Sequence, residues 1–353
     1  MRKVRILDRA EASHTNAIRL HAEGLMRVFY DHGICLQDGI REIVMDPQRQ
    51  SNGSVVTHAH MDHLSKGALM TPETLAVMKV RLGSSRGKPL QIGNKEKYGG
   101  FDVRFHNAGH TFGSIMVEAN GVLYTGDFNP DGGLTCGQAK PVDCETLVIE
   151  STYGKPQFRF PPKREVEMDI LSWAEAELSK NPIALGAIEF GKAQELIALF
   201  NTIGAEVAVS DRIAALADVY NAHGHNLRYR RTGDLSPQER KEPRVYIVPR
   251  GWLGQEAPDD FSFFKANGGS RALVSGWCAV FNFGRSQELT AQFPLSDHAD
   301  FNGLIEFAEA CKPETVYTVG GNANELATEI HSRLGMKAES LMRHRGRKGG
   351  VKG

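Results

Sequence analysis

Thr57-His58-Ala59-His60-Met61-Asp62-His63-Leu64 places three imidazoles and a carboxylate within six consecutive positions, the pattern H-x-H-x-D-H. The apolar run Ser54-Val55-Val56-Thr57 just before it reads as a buried strand that ends at the cluster. Loops at strand ends are where a rigid scaffold presents chemistry. Imidazole and carboxylate are the donors that suit zinc, and also manganese or iron. Alternation along an extended turn can aim His58 and His60 one way and Asp62 and His63 another, so one short loop can feed two metals. The competing reading is a solvated loop that is His-rich by accident; four ligand-type residues in so short a span favour a metal site.

The flanking strands carry further donors. Ile43-Val44-Met45-Asp46-Pro47 is a strand ending in Asp46, placed to orient a ligating imidazole from behind. After the loop, Pro72–Lys79 reads as a short helix with Thr71 as its N-cap. His110 lies in a glycine-flanked loop, Ala108-Gly109-His110-Thr111-Phe112-Gly113-Ser114, between two strand-like runs, a position for a third imidazole. His106 sits within the preceding strand and reads as structural. Gly121–Phe128 is a strand running into Gly126-Asp127, where a carboxylate can bridge two metals, and Leu147-Val148-Ile149-Glu150 repeats the arrangement with a glutamate. Successive strands thus end in acidic or His residues, as expected of one functional edge.

Composition sets the class. At 353 residues the chain is long enough for two domains, or for one large α/β unit with an insertion. Lys plus Arg (42) equals Asp plus Glu (42), so net charge gives no support to a nucleic-acid partner and leaves a local basic groove open. The five cysteines are scattered and contain no C-x-x-C, which argues against a disulfide framework and fits a reducing cytoplasm. The charged start Met1-Arg2-Lys3-Val4-Arg5 lacks the apolar stretch of a signal peptide, and no run is long enough to span a bilayer. A cytoplasmic protein without a membrane partner is expected.

From about residue 156 the pattern changes. Pro156, Pro161 and Pro162 mark a linker, a helix is expected over 165–178, and strands near 183–188, 206–210, 245–249 and 271–276 alternate with helices at 192–201 and 212–221. That is an α/β unit with a mainly parallel sheet. Phe190-Gly191-Lys192-Ala193-Gln194-Glu195 joins a strand to a helix and offers backbone N–H groups and Lys192 to a phosphate; a plain helix start is the competing reading. Arg228-Tyr229-Arg230-Arg231 reads as a solvated strand face rather than a basic groove edge. Phe293-Pro294-Leu295-Ser296-Asp297-His298-Ala299-Asp300 is the next dense cluster, and the end, Arg343–Gly353, is basic and glycine-rich.

Taken together, H-x-H-x-D-H, A-G-H-T-x-G-S and T-G-D-F resemble the metallo-β-lactamase superfamily, and Glu150-Ser151-Thr152-Tyr153-Gly154 with Ser296-x-His298-x-Asp300 resembles its β-CASP nuclease branch. The resemblance covers nearly the whole chain. It implies an αββα sandwich with an inserted β-CASP α/β domain: residues 1–155 as the first part of the sandwich, 156–285 as the insertion, 286–342 as the return segment and 343–353 as a flexible basic tail. It also implies two zinc ions, with manganese as a candidate at the second site. His58, His60 and His110 would hold the first, Asp62 and His63 the second, and Asp127 both. The implied activity is phosphodiester hydrolysis of nucleic acid through a dinuclear metal-bound hydroxide. Asp62, Glu150 and His298 would form the catalytic group, with His298, polarised by Glu150, as general acid. Ser114, Thr152 and Lys192 are the candidate substrate contacts.

One departure bears on the substrate. Many RNA-processing members carry a further metal-ligating His in a V-H-G-like turn; here Thr318-Val319-Gly320-Gly321 puts Gly320 there. The branch's DNA-repair nucleases also lack that His, so DNA is favoured over RNA and an exonuclease is expected. An RNA-processing nuclease, a hydrolase of small esters, thioesters or lactams, and a silent nucleic-acid-binding member are the alternatives. His331 is a conceivable substitute ligand, but a helix surface suits it better.

Overall fold

The computed structural model describes residues 18–21, 24–49, 51, 53–61, 67–83, 86–242, 244–254, 257–258, 261–266, 268–284 and 288–341. Asp62 and His63 lie outside these, as does the basic end of the chain. The fold is mixed α/β, built on three sheets.

The first seven-stranded sheet follows chain order. Its strands Ile18–His21, Gly24–Asp31, Gly33–Asp38 and Arg41–Met45 run antiparallel, and Ser54–Val55, Leu69–Met70 and Lys88–Pro89 continue it in parallel. In the second, Thr146–Glu150 lies between Val122–Tyr124 and Thr315–Val319, parallel to both. Lys337–Ser340 flanks one side, while Ile115–Ala119, Phe101–Asn107 and Lys95–Tyr98 form an antiparallel wing on the other.

The two sheets share one core. Phe101, Val103 and Phe105 alternate inward along their strand and meet Leu36, Ile43 and Met45 of the first sheet, all fully buried. Burying each such side chain contributes roughly 1.5–3 kcal/mol, enough to make a rigid base for the loops at the strand ends. The outer face of the second sheet (Met116, Leu123, Leu147, Val316) packs on the helices Phe301–Ala310 and Ala323–Leu334 through Leu304, Phe307, Leu326 and Ile330. The helix Pro72–Leu82 packs with Val56 and Met70 of the first sheet. Thr71 caps it by accepting the Thr74 N–H at 3.1 Å, and Gly83 ends it at φ 71°, a conformation that glycine adopts without strain.

The third sheet is six-stranded, wholly parallel, and drawn from residues 183–293. Ile183–Ala187 is central and pairs in parallel with Val245–Pro249 and Ser270–Val274, while the helix Lys192–Thr202 leads from it to the strand Val207–Val209 and the helix Asp211–Ala222 leads on to Arg230–Arg231. The last strand of this sheet, Ala291–Phe293, pairs with Ala272–Val274. Its helices share a core with Val56, Ala59 and Phe112, which ties the six-stranded unit to the loops around His58 and His110.

Parallel strands point their C-terminal ends the same way. Met45, Val55, Tyr124, Glu150 and Val319 therefore deliver Asp46, His58, Asp127, Glu150 and Gly320 to one edge.

Candidate metal centre

Proton positions in this edge follow from its hydrogen bonds. Asp46, held at φ 48°, accepts the Thr57 N–H at 2.8 Å, the Thr57 hydroxyl at 2.7 Å and the Tyr124 hydroxyl at 3.0 Å. The Thr57 hydroxyl has one proton, and Asp46 takes it. Its oxygen therefore accepts from His58 Nδ1–H at 3.0 Å, which leaves His58 Nε2 unprotonated. His110 donates Nδ1–H to the Asp297 carbonyl at 2.9 Å, and His60 donates Nε2–H to the Phe190 carbonyl at 3.3 Å. A carbonyl only accepts, so His110 Nε2 and His60 Nδ1 are unprotonated as well.

Those three unprotonated nitrogens face one another. His60 Nδ1 lies 3.0 Å from His58 Nε2 and 3.2 Å from His110 Nε2. Asp127 Oδ2 stands 3.5 Å from the first and 3.8 Å from the last of these Nε2 atoms. With the ring protons committed elsewhere, these contacts are lone pair against lone pair, and a cation among them converts repulsion to ligation. Burial first, then the nearby His298 charge, hold His110 well below the usual imidazole range, so it stays a neutral donor. Three imidazoles and a carboxylate, all within 4.8 Å of one another, fit a divalent metal such as zinc.

Asp127 also belongs to a second cluster, with Glu150 and His298. Glu150 is buried at its strand end and accepts His298 Nδ1–H at 2.9 Å, Phe128 N–H at 3.0 Å and Thr152 N–H at 3.2 Å. Burial alone would raise its pKa, but the His298 charge and these hydrogen bonds outweigh it and bring it below the ordinary value. Burial likewise pulls His298 down, while the Glu150 charge and hydrogen bond, with Asp127 and Asp297, lift it to about 9. The result is an imidazolium at neutral pH, its ring 4.4 Å from that of His110. A cleft of about 540 Å3 opens beside Asp127, Glu150 and Thr152 and is lined by Gly320.

Other expected site residues take different surroundings. Lys192 is buried and paired with Asp297 at 2.8 Å. Ser114 is buried, its hydroxyl accepting the His110 and Thr111 N–H groups at 3.1 and 3.0 Å, so it shapes the His110 turn. Gly320 follows its strand at φ 101°. His331 is exposed and bonded to the Met336 carbonyl, and His106 pairs with Glu118 at 2.8 Å. Arg231 pairs with Asp218, and Arg228 with Asn201, as a solvated face. Three partners had no signal in the pattern: the Phe190 and Asp297 carbonyls and the Tyr124 hydroxyl. Asp46, expected behind the imidazoles, reaches His58 through Thr57, and Thr57, adjacent to His58, was itself findable.

No family model matches the chain. A probable DNA ligase of Opitutus terrae is 30% identical over 320 residues, covering 84% of this chain and 29% of that protein. The human DNA cross-link repair 1A protein is 23% identical, covering 74% of this chain and 27% of its own length. Transcription termination factor FttA of Pyrococcus abyssi is 26% identical, with 81% and 60% covered. The chain thus spans less than two thirds of each of these relatives. A crystal structure of a protein of unknown function from Enterococcus faecalis superposes with a TM-score of 0.62 at 12% identity, over 90% of this chain and 98% of that one, a likeness of fold. Joined to the H-x-H-x-D-H loop and the Glu150–His298 pair, these similarities establish that the chain belongs to the β-CASP branch of the metallo-β-lactamase superfamily.

Proposed function

We propose that this chain is a metal-dependent nuclease that hydrolyses phosphodiester bonds, with DNA favoured over RNA and attack from a chain end. The observation that carries the reading is the sharing of Asp127 between the three-imidazole cluster and the Glu150–His298 pair. A metal-binding group and a proton donor on either side of one carboxylate support this reading. The large six-stranded unit beside the site suits a polymeric substrate better than a small ester, and a departing sugar oxygen needs the proton that His298 carries.

In this reading the two seven-stranded sheets are the αββα sandwich, residues 156 to about 293 are the inserted β-CASP unit, and the rest up to 342 is the return segment. His58, His60, His110 and Asp127 would hold the first zinc, and Asp62 and His63 with Asp127 would hold a second metal, with manganese as a candidate. Bound metals supply a nucleophilic water at neutral pH and a clamp for a phosphoryl oxygen. The chain does the rest. Glu150 fixes the His298 ring through Nδ1, so Nε2 is the position that releases a proton to the leaving oxygen. Thr152, whose N–H is tied to Glu150, lines the cleft where the strand would lie. Gly320 adds no ligand there, and DNA is named in the first two relatives above. The five free cysteines suit a reducing, cytoplasmic setting.

A digestion panel of 5′- and 3′-labelled single-stranded DNA, duplex DNA and RNA, with zinc or manganese, tests this. The expected result is stepwise shortening of DNA. Turnover of thioester or lactam with every nucleic acid left intact reverses the assignment.

A further inference from the structure

A chain of aromatic rings leads outward from His298. Tyr153, buried, stands edge-on to the His298 ring at 5.8 Å and contacts the Trp277 ring at 5.1 Å. Trp277 in turn lies 6.0 Å from Phe281. Exposure climbs along this path, from 3% at Tyr153 to 36% at Trp277 and 47% at Phe281. Among the described residues, the other exposed large hydrophobics are aliphatic, so the two exposed aromatics of that class are neighbours, beside the site.

The presentation is built in. Gly276 starts the turn Gly276–Ala279 that carries Trp277, and a Cβ there would stand 2.4 Å from the Tyr153 hydroxyl. Only glycine lets the turn sit so close. Phe158 packs perpendicular to the indole at 5.2 Å and helps hold it in place. Next to Phe158, Arg159 is exposed and has no ion pair among the described residues.

We infer that Trp277 and Phe281 form a stacking shelf for unpaired bases of a single-stranded nucleic acid whose backbone runs to His298. The inference rests on the nuclease reading above and names the form of substrate. Bases within a duplex already stack on one another, whereas unpaired bases offer both faces to an indole or phenyl ring. Stacking tolerates any base, so the shelf selects strandedness rather than sequence. Arg159, the chain neighbour of Phe158, is an exposed cation available to the backbone. A second copy of this chain is the rival occupant, and nothing about self-association explains why the ring path starts at the proton donor.

The test uses the full, metal-loaded chain, with an oligothymidylate and an abasic strand of equal length. Trp277→Ala is expected to lower the ratio of kcat/KM for oligothymidylate over the abasic strand by about tenfold to a hundredfold, from the usual stacking strength per base. Trp277→Phe, which keeps a ring, restores most of the ratio. An unaltered ratio in Trp277→Ala overturns the shelf, and so does a concentration-dependent dimer that this substitution dissolves. Binding is read separately, by quenching of tryptophan fluorescence with oligothymidylate. Quenching that disappears in Trp277→Phe, from a chain that cleaves nothing, sustains the shelf while removing the nuclease reading. Cleavage by a chain whose Trp277 is not quenched does the reverse.

Discussion

Lys192 of the six-stranded unit and Asp297 of the loop before His298 form a buried ion pair at 2.8 Å, with side chains 5% and 9% exposed. The Asp297 carbonyl accepts His110 Nδ1–H, so this pair anchors the backbone that orients a proposed ligand. Glu195, one turn along the same helix, accepts the Leu134 and Thr135 N–H groups at 2.7 Å. The helix Lys192–Thr202 therefore grips the site from both sides.

Removing one partner leaves a buried charge unpaired. Lys192→Met is expected to lower stability by about 3–5 kcal/mol, measured by urea unfolding of the full chain. Lys192→Met combined with Asp297→Leu should recover a large part of that loss, because no lone charge remains. Equal losses in the single and double variants would contradict the pairing.

The Thr57 hydroxyl relays Asp46 to His58. Thr57→Val keeps the shape and removes the relay, so His58 loses the contact that sets its tautomer. Metal affinity should fall about 10–100-fold, read by competition with a chelator. Affinity unchanged from wild type would mean that the hydroxyl plays no part.

Glu150 holds the His298 proton. As a donor, His298 is active while charged, so activity is present below its pKa of about 9 and declines as pH rises through it. A cation bound at Asp127 opposes the same charge and moves this limb downward. Glu150→Gln removes the main raising influence, and the alkaline limb of kcat should shift to lower pH with metal content near that of wild type. A limb that stays in place would assign it to some other group.

Gly320 sits at φ 101°. A Cβ there finds its nearest neighbour, the Ser151 hydroxyl, at 3.4 Å, so space is adequate and the backbone is the obstacle. Gly320→His is expected to cost about 1–3 kcal/mol and to leave binding of the second metal equivalent untightened. Tighter binding at undiminished stability would show that the turn accepts the ligand found in RNA-processing relatives.

Local pattern carried much of the site. His58 and His60 share a loop, His110 lies between glycines, and Asp127 and Glu150 close strands whose apolar runs are plain in the chain. Strand and helix positions in 183–274 followed from βα alternation, with ends displaced by a residue or two where caps decide. What stayed hidden is long-range and uses backbone or neutralised groups. His60 reaches the carbonyl of residue 190, and His110 that of residue 297; every residue has a carbonyl, so neither partner leaves a mark in the sequence. Lys192 looked like a phosphate ligand because its helix start is visible, whereas the acid that neutralises it is a hundred residues away in the chain. The Trp277 shelf was missed because the ring beneath it, Tyr153, belongs to a distant segment.

The most direct measurement is a time course of 5′-labelled single-stranded DNA with the metal-loaded chain beside His298→Ala and Asp127→Ala, metal content being recorded for each. Shortening by wild type, a rate about 10²–10⁴-fold lower in His298→Ala at normal metal content, and loss of both metal and cleavage in Asp127→Ala are the predicted results. Intact DNA from a fully metallated wild type, or full cleavage by Asp127→Ala, would contradict the account.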